Sequence, residues 1–253
     1  MDLVGHDEAV FERIKADYLD FAARLEIEDL HVVPISALKG DNVVDPSPQM
    51  PWYQGATLMY LLETLHVAGD RNRTDFRFPV QWVNRPDSTF RGYGGTVASG
   101  VVRRGDEIVV LPSRRTSRVE HIVTFDGDLE EAATPQAVTL TLEDELDVSR
   151  GDVLVHPDNL PPVRDRFDAM LVWMHDEPLV PGREYRVKHG AQQVRGAVSS
   201  IRHRIDVNTL AQQAAPSLGL NEIARCELSL ARPVALDRYD HNAAMGAFIV
   251  IDP

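Results

Sequence analysis

The chain has 253 residues, enough for one large domain or two small ones with a sizeable buried core. Its 26 Lys and Arg residues against 39 Asp and Glu residues leave a net charge of −13, which argues against non-specific nucleic-acid binding as its main task. The single cysteine, Cys226, excludes an internal disulfide framework and a zinc site built on several thiolates. No run approaches the roughly eighteen apolar residues of a membrane span, and the N-terminal residues lack a signal-peptide pattern, so we expect a cytoplasmic protein.

The charge is distributed unevenly along the chain and predicts three units. Residues 1–70 carry a net charge of −9, residues 71–163 a net charge of −4, and residues 164–253 no net charge. The changes fall close to two segments with the composition of linkers, 69–75 and 156–165. We therefore expect domain boundaries near these two segments.

The first unit has the pattern of an α/β fold. Asp7 suits the N-cap of a helix whose apolar residues recur at steps of three and four. These residues are Val10, Ile14, Tyr18, Phe21 and Leu25. The short apolar run 31–35 predicts a buried strand that leads into the loop 36–40, and a second helix is predicted around residues 56–66. Because one strand cannot close a core, we expect part of this unit to precede residue 1.

From residue 76 onward the hydrophobic period changes to two. Three segments alternate apolar with polar residues in this way: 76–82, 138–142 and 224–230. Such alternation, interrupted by Gly, Pro and Asp turns, is typical of antiparallel sheets with one solvated face. Many short strands in each unit of about ninety residues favour small closed barrels, because closure removes exposed edges. The predicted fold class is therefore mainly β, with two consecutive antiparallel β-barrels preceded by an α/β segment.

Several residues invite functional interpretations that the local pattern does not support. The tripeptide Arg-Gly-Asp occurs at 104–106 and 150–152, each time before an apolar strand, where Gly-Asp supplies a tight turn. Cys226 lies on the apolar face of a predicted strand, which favours a packed side chain over a nucleophile. The nine histidines show no metal-ligand spacing. The sequence thus predicts no catalytic residue and no metal site.

Eight short segments resemble a known family. The segments 92–101 and 104–107, together with the turn at 147–154, resemble the second domain of the elongation-factor-Tu-like translational GTPases. Further segments of the third unit are similar to the large, GTP-binding subunit of bacterial sulfate adenylyltransferase. These segments are 167–169, 187–189, 202–209, 220–225 and 246–252, of which 202–209 is the most specific. The resemblance covers essentially the whole chain.

The resemblance implies a fold and a function. Residues 1–70 would be the C-terminal part of a P-loop GTPase domain, residues 71–163 barrel domain II, and residues 164–253 barrel domain III. Family members take part in sulfate assimilation as nucleotidyltransferases, forming adenylyl sulfate and pyrophosphate from ATP and sulfate. A small partner subunit carries the adenylyl-transfer site, and GTP hydrolysis by the large subunit drives the unfavourable equilibrium. In some bacteria this subunit is fused to an adenylylsulfate kinase.

The resemblance also implies a guanine-binding site. Asp2 looks like the last position of the Asn-Lys-x-Asp motif and would accept hydrogen bonds from guanine N1 and the exocyclic amine. Adenine offers no such donors, so a buried, unpaired carboxylate would penalise it. Ser36, Ala37 and Leu38 match the second guanine loop of the family, in which a backbone N–H donates to guanine O6.

The chain also departs from the family. No Gly-x-x-x-x-Gly-Lys-Ser/Thr motif is present, and no Asp-x-x-Gly follows a strand. Phosphoryl transfer depends on those parts for positioning and charge stabilisation. We therefore expect GTP with Mg²⁺ to be the cofactor of the full-length protein, and this chain alone to bind GTP negligibly and to be inactive. Because the family has one more strand after residue 253, we expect the last barrel to have an open edge.

Two alternatives remain at this stage. The chain could be a translation-factor-like double barrel that binds tRNA, although its net charge of −13 disfavours this. It could also be a binding module that contacts a protein partner without catalysis. The expected partner under the family interpretation is the small catalytic subunit of sulfate adenylyltransferase, with neither membrane nor nucleic-acid binding.

Overall fold

The computed structural model describes residues 1–25, 27, 30–65, 72–87 and 90–252. The chain divides into two compact units, Met1–Asp70 and Arg71–Pro253. The further domain boundary predicted near residue 163 stays a prediction. In the described part of the chain, no helix has the length and hydropathy needed to cross a membrane.

The first unit contains a 3₁₀ turn at Asp2–Val4 and two helices, α1 (Glu8–Ala23) and α2 (Leu58–Thr64). Both helices fall where the sequence predicts them. The Asp7 side chain caps α1 by accepting a hydrogen bond from the backbone N–H of Val10, and Thr57 caps α2 in the same way. Phe11 of α1 is buried and packs against the rings of Trp52 and Tyr53, with centroids 5.4 and 6.4 Å away.

The strand predicted at 31–35 is not formed, and that prediction was wrong. Only an isolated bridge between Ser36 and Asp41 follows this segment. No described strand forms a ladder with 31–35, and Pro34 has no N–H to contribute to one. The carbonyl of Pro34 instead accepts a hydrogen bond from the Asn42 side chain at 2.9 Å. The N-terminal amine of Met1 likewise donates to the carbonyl of Ile35 at 2.8 Å, so contacts of this kind hold the run in place of a sheet.

The second unit begins with a closed barrel. Its strands are β1 (Arg77–Asn84), β2 (Gly92–Thr96), β3 (Val101–Arg103), β4 (Glu107–Leu111), β5 (Arg115–Thr124), β6 (Gly127–Leu129), β7 (Glu131–Ala133), β8 (Ala137–Leu142) and β9 (Val153–Val155). Six of them pair antiparallel in the order β4-β9-β1-β2-β8-β5, and β5 pairs back with β4. The alternating residues of these strands fill one apolar core, as predicted.

A second antiparallel sheet follows. It is built from β10 (Val163–Val172), β11 (Glu184–His189), β12 (Gln192–Ile205), β13 (Gln212–Gln213), β14 (Ile223–Ala235) and β15 (Ile249–Ile251), with the short helix α3 (Ala243–Gly246) before β15. The main order is β10-β14-β12-β11-β15. Phe167 of β10 meets Phe248, next to β15, at a centroid distance of 5.9 Å, so the two outer strands approach each other around a shared core. The predicted fold class, mainly β with two barrel-like sheets, is confirmed.

Local details agree with two sequence interpretations and correct another. Cys226 is fully buried, and burial raises the pKa of its thiol to about 11, as expected of a packed side chain. Gly105 and Gly151 adopt φ angles of +85° and +94°, so both Arg-Gly-Asp segments are turns. Trp82, expected on the apolar face of β1, is 68% exposed because a β-bulge between Val80 and Trp82 reverses the alternation.

The two sheets of the second unit share an interface. Val109 and Val155 of the first barrel pack in one cluster with Ala235, at the end of β14, and Met245 of α3. Beside them lies Arg77, whose side chain is only 3% exposed although the alternation of β1 placed it on the solvated face.

The Arg77 side chain is fully engaged in this interface. Its Nε donates to Asp237 at 2.9 Å, and one terminal nitrogen donates to the carbonyl of Asn159, also at 2.9 Å. Asn242 extends the network by donating to Ser99 Oγ at 2.9 Å. A buried, paired arginine therefore joins the two sheets.

Candidate functional site

The candidate site lies in the first unit, where two segments meet. Asp2 belongs to the 3₁₀ turn before α1, and Ser36 begins the loop that follows the run 31–35. The hydroxyl of Ser36 donates to Asp2 Oδ1 at 2.7 Å, and Ser36 itself is buried. The structure therefore brings together two residues that the sequence predicts to share a site, across 34 positions of chain.

The loop that carries Ser36 has a defined shape. The backbone N–H of Ser36 donates to the carbonyl of Asp41 at 3.1 Å, and the N–H of Gly40 donates to the carbonyl of Ser36 at 2.8 Å. Gly40 adopts a φ of +78°, which glycine accepts without strain. At the tip, Ala37 and Leu38 are exposed. The tip thus offers an accessible surface beside the Asp2 carboxylate.

Hydrogen bonds hold the base of the loop. The side chain of Asn42 donates to the carbonyl of Pro34 at 2.9 Å and accepts the backbone N–H of Ser47 at 2.7 Å. Asp41 accepts a hydrogen bond from the Ser47 hydroxyl at 2.6 Å, and its second oxygen lies 3.1 Å from His6 Nε2. Sequence reasoning missed His6 and Asp41, because nothing in a local pattern links two polar residues 35 positions apart.

Both carboxylates of the site are stabilised in their charged form. The hydrogen bond from Ser36 is the main cause that lowers the pKa of Asp2, and the hydrogen bond from Ser47 is the main cause for Asp41. At neutral pH Asp2 is therefore a negatively charged acceptor with one oxygen occupied by Ser36. Its other oxygen can accept donors from a planar ligand placed over the loop tip.

The described residues contain no group of three or more His, Cys, Asp or Glu side chains that could hold a metal ion. Described residues of the two sheets line several open clefts, of which two are relevant here. One, of about 490 Å³, lies on the first barrel beside Arg91 and Tyr93, and the other, of about 1160 Å³, lies along β10 of the second sheet. Burial raises the pKa of the Tyr93 hydroxyl, which donates to the carbonyl of Leu146 at 3.1 Å. Neither cleft contains the residues predicted for a site.

Comparison with known proteins identifies the class of the second unit. Residues 93–155 match the family model for elongation factor Tu domain 2, and residues 166–253 match the one described as GTP-eEF1A C-terminal domain-like. Among solved structures, Sup35 complexed with GMPPNP superposes on 98% of this chain and 63% of its own, with a TM-score of 0.66 and 21% identity. Translation elongation factor SelB from Methanococcus maripaludis has a TM-score of 0.56 and 19% identity over 72% of this chain and 41% of its own. The fold is that of the elongation-factor-Tu-like GTPases.

Curated relatives narrow this class to one family. Sulfate adenylyltransferase subunit 1 of Laribacter hongkongensis is 54% identical over 100% of this chain, which covers 53% of that protein. The corresponding subunit of Shewanella woodyi is 52% identical, again over the whole chain and 54% of the relative. The bifunctional enzyme CysN/CysC of Rhodopirellula baltica is 54% identical over 39% of its length. The chain belongs to the family of sulfate adenylyltransferase subunit 1, and it spans about half the length of the subunit 1 relatives it matches.

Proposed function

We propose that this chain is part of the regulatory GTPase subunit of sulfate adenylyltransferase, which couples GTP hydrolysis to the formation of adenylyl sulfate from ATP and sulfate. The main support is the 54% identity to a sulfate adenylyltransferase subunit 1 over all 253 residues. This likeness includes the first unit as well as the barrels, so it extends to the segment that carries Asp2 and Ser36.

The geometry of the first unit supports a role in reading guanine. The free oxygen of Asp2 would accept the N1–H and exocyclic amine of the base, and Ser36 would hold the carboxylate in position. An exposed backbone N–H at Ala37 or Leu38 would donate to guanine O6. Adenine presents no hydrogen at N1 and no 2-amino group, so it would leave the second oxygen of Asp2 without a donor.

Guanine recognition can be tested in this chain with a nucleoside. We expect millimolar guanosine, but not adenosine, to shift the backbone NMR signals of residues 36–39. The substitution Asp2→Asn should abolish the shifts, while Asp20→Asn, an exposed carboxylate on α1, should leave them unchanged. Equal shifts with adenosine would contradict the assignment.

The remaining chemistry of GTP would come from residues outside this sequence. GTP with Mg²⁺ requires a phosphate cradle and a magnesium-binding hydroxyl, and the 253 residues contain no P-loop motif that could supply them. We infer that the chain alone binds GTP negligibly and does not hydrolyse it. Titration calorimetry should show no binding at micromolar GTP, and micromolar affinity would contradict this inference.

The unit of residues 1–70 would be the C-terminal part of the GTPase domain, and its exposed apolar side chains fit a surface that packs against further polypeptide. Ile14 and Tyr18 of α1 are 56% and 50% exposed, and Leu62 of α2 is 62% exposed. We likewise propose that a further strand following residue 253 closes the second sheet, whose outer strands β10 and β15 pair on one side only among the described strands.

The proposed partner is the small catalytic subunit of sulfate adenylyltransferase. We expect the purified small subunit to retain this chain on an affinity column, and an unrelated acidic protein of similar size should pass through. The competing function is a translation-factor-like double barrel that binds tRNA, which the fold likeness to Sup35 and SelB favours. Salt-dependent tRNA binding without retention by the small subunit would establish that alternative.

A further inference from the structure

Two separate side-chain contacts join the segments that form the candidate site. One is the hydrogen bond from Ser36 to Asp2, and the other links His6 to Asp41. We propose that His6 is a positioning residue of the guanine site, which acts through Asp41 and Ser36 to fix the orientation of Asp2. This inference rests on the proposed function for its purpose, although its geometry stands independently.

The contact between His6 and Asp41 is nearly closed to solvent. Their side chains are only 11% and 10% exposed, and His6 Nε2 lies 3.1 Å from Asp41 Oδ2. The carbonyl of His6 accepts the indole N–H of Trp52 at 3.1 Å, and His6 adopts a φ of +58°. His6 is therefore held through its backbone as well as its ring, in a conformation that non-glycine residues adopt rarely.

The contacts form a closed ring. Asp41 links His6 to Ser36, because its side chain contacts the His6 ring and its carbonyl accepts the backbone N–H of Ser36 at 3.1 Å. The hydroxyl of Ser36 in turn donates to Asp2. The 3₁₀ turn at Asp2–Val4 then connects Asp2 to His6 along the chain. A ring of this kind restricts each member more than a single hydrogen bond does, because moving one group strains the others.

The ring explains how a buried histidine can matter to a carboxylate that it does not touch. The Ser36 hydroxyl donates to Asp2 and also accepts the backbone N–H of Lys39 at 3.3 Å. Its position is therefore set by the loop rather than by a ligand. Removal of the His6 ring would free one oxygen of Asp41 and loosen the base of the loop. Asp2 would then lose the hydrogen bond that orients it.

The test uses NMR on the full 253-residue chain and follows the Asp2 carboxyl signal through an acid titration. In the unsubstituted chain we expect the pKa of Asp2 to lie below 3.8. His6→Ala should raise it to the ordinary range, and His6→Gln, which keeps a side-chain N–H donor, should restore part of the decrease. His241→Ala, which removes an exposed histidine, should change nothing.

The outcomes separate this inference from the proposed function. An unchanged Asp2 pKa in His6→Ala would overturn the positioning role, whatever the chain binds. If the pKa moves but guanosine shifts no signals in the unsubstituted chain, the positioning role stands and guanine recognition fails. Should His6→Ala unfold α1, Ser47→Ala decides instead, because it keeps the His6 contact and removes the hydrogen bond to the other oxygen of Asp41, together with the acceptor of the Gln49 N–H. An Asp2 pKa unaffected by Ser47→Ala would then contradict the inference.

Discussion

The two units of the chain are stabilised in different ways. Among the described residues, the first unit buries three apolar side chains, Phe11, Ala22 and Met50, whereas the second buries thirty-six. Of the residues that the structure describes, the first unit nevertheless exposes thirteen large apolar side chains and the second only eleven, although the second unit is more than twice as long. The first unit therefore depends on hydrogen bonds around Asp41 and Asn42, while the second depends on apolar cores.

The difference in core size between the two units is relevant to ligand binding. The predicted guanine site lies in the unit with the smaller core, and the elements that match the elongation-factor models lie in the unit with the larger cores. Binding sites are often drawn from the less stable parts of a structure, because they must accommodate a ligand. The contrast between the units predicts different responses to substitution.

The largest effect is expected at the interface within the second unit. Arg77→Ala would leave Asp237 without its buried cation and should reduce the free energy of unfolding by about 3–5 kcal/mol. Arg195→Ala removes an exposed arginine 3.9 Å from Glu184 and should cost less than about 0.5 kcal/mol. Urea denaturation measures both, and equal effects would show that the Arg77 network contributes no more than a surface ion pair.

A matched pair of leucines compares the units directly. Leu154→Ala creates a cavity in the core of the first barrel, where the side chain is fully buried, and should cost about 2–5 kcal/mol. Leu62→Ala, on the exposed face of α2, should change the stability of its unit by less than about 0.5 kcal/mol. A large loss at Leu62 would mean that its side chain is covered in solution.

A smaller effect is expected at the start of α1. Asp7→Ala removes the cap that accepts the N–H of Val10 and should cost about 1 kcal/mol of helix stability. Asp17→Ala, at an exposed position within α1, serves as the control. Amide exchange of α1 measures the difference. Similar exchange in the two variants would show that the cap does not limit the stability of the helix.

The smallest effect concerns pH. Because the folded-state pKa of Asp41 is lowered, its carboxylate contributes stability that is present above the ordinary value of 3.8 and lost as the pH falls through the folded value. We expect the amides of residues 36–47 to keep their protection between pH 7 and 5 and to lose it below pH 3.8. In Asp41→Asn this acid-induced step should disappear, and its persistence would assign the step to another group.

Much of the fold follows from local sequence patterns. The cap at Asp7, the period of α1 and the alternation in β8 and β14 are short-range features, and all agree with the structure. The failures depend on distant partners. Arg77 is buried because Asp237, 160 residues away, pairs with it, and the run 31–35 is not a strand because no described strand forms a ladder with it.

In the candidate site, too, motifs predicted some residues, whereas contacts between distant residues could not be predicted. The family motifs pointed to Asp2 and Ser36, and the structure shows the two side chains in contact, while their role in binding guanine stays a prediction. The contact between His6 and Asp41 could not be predicted, because neither residue belongs to a motif. Their contact depends on the tertiary packing of two segments that lie 35 residues apart.

Native-state amide exchange over the whole chain tests most directly the claim that the unit carrying the site is the less stable one. We predict that the central amides of β1 and β14 exchange only through global unfolding. The amides of α1 and α2 should exchange orders of magnitude faster, through local openings. Equal protection of α1 and β14 would contradict the account.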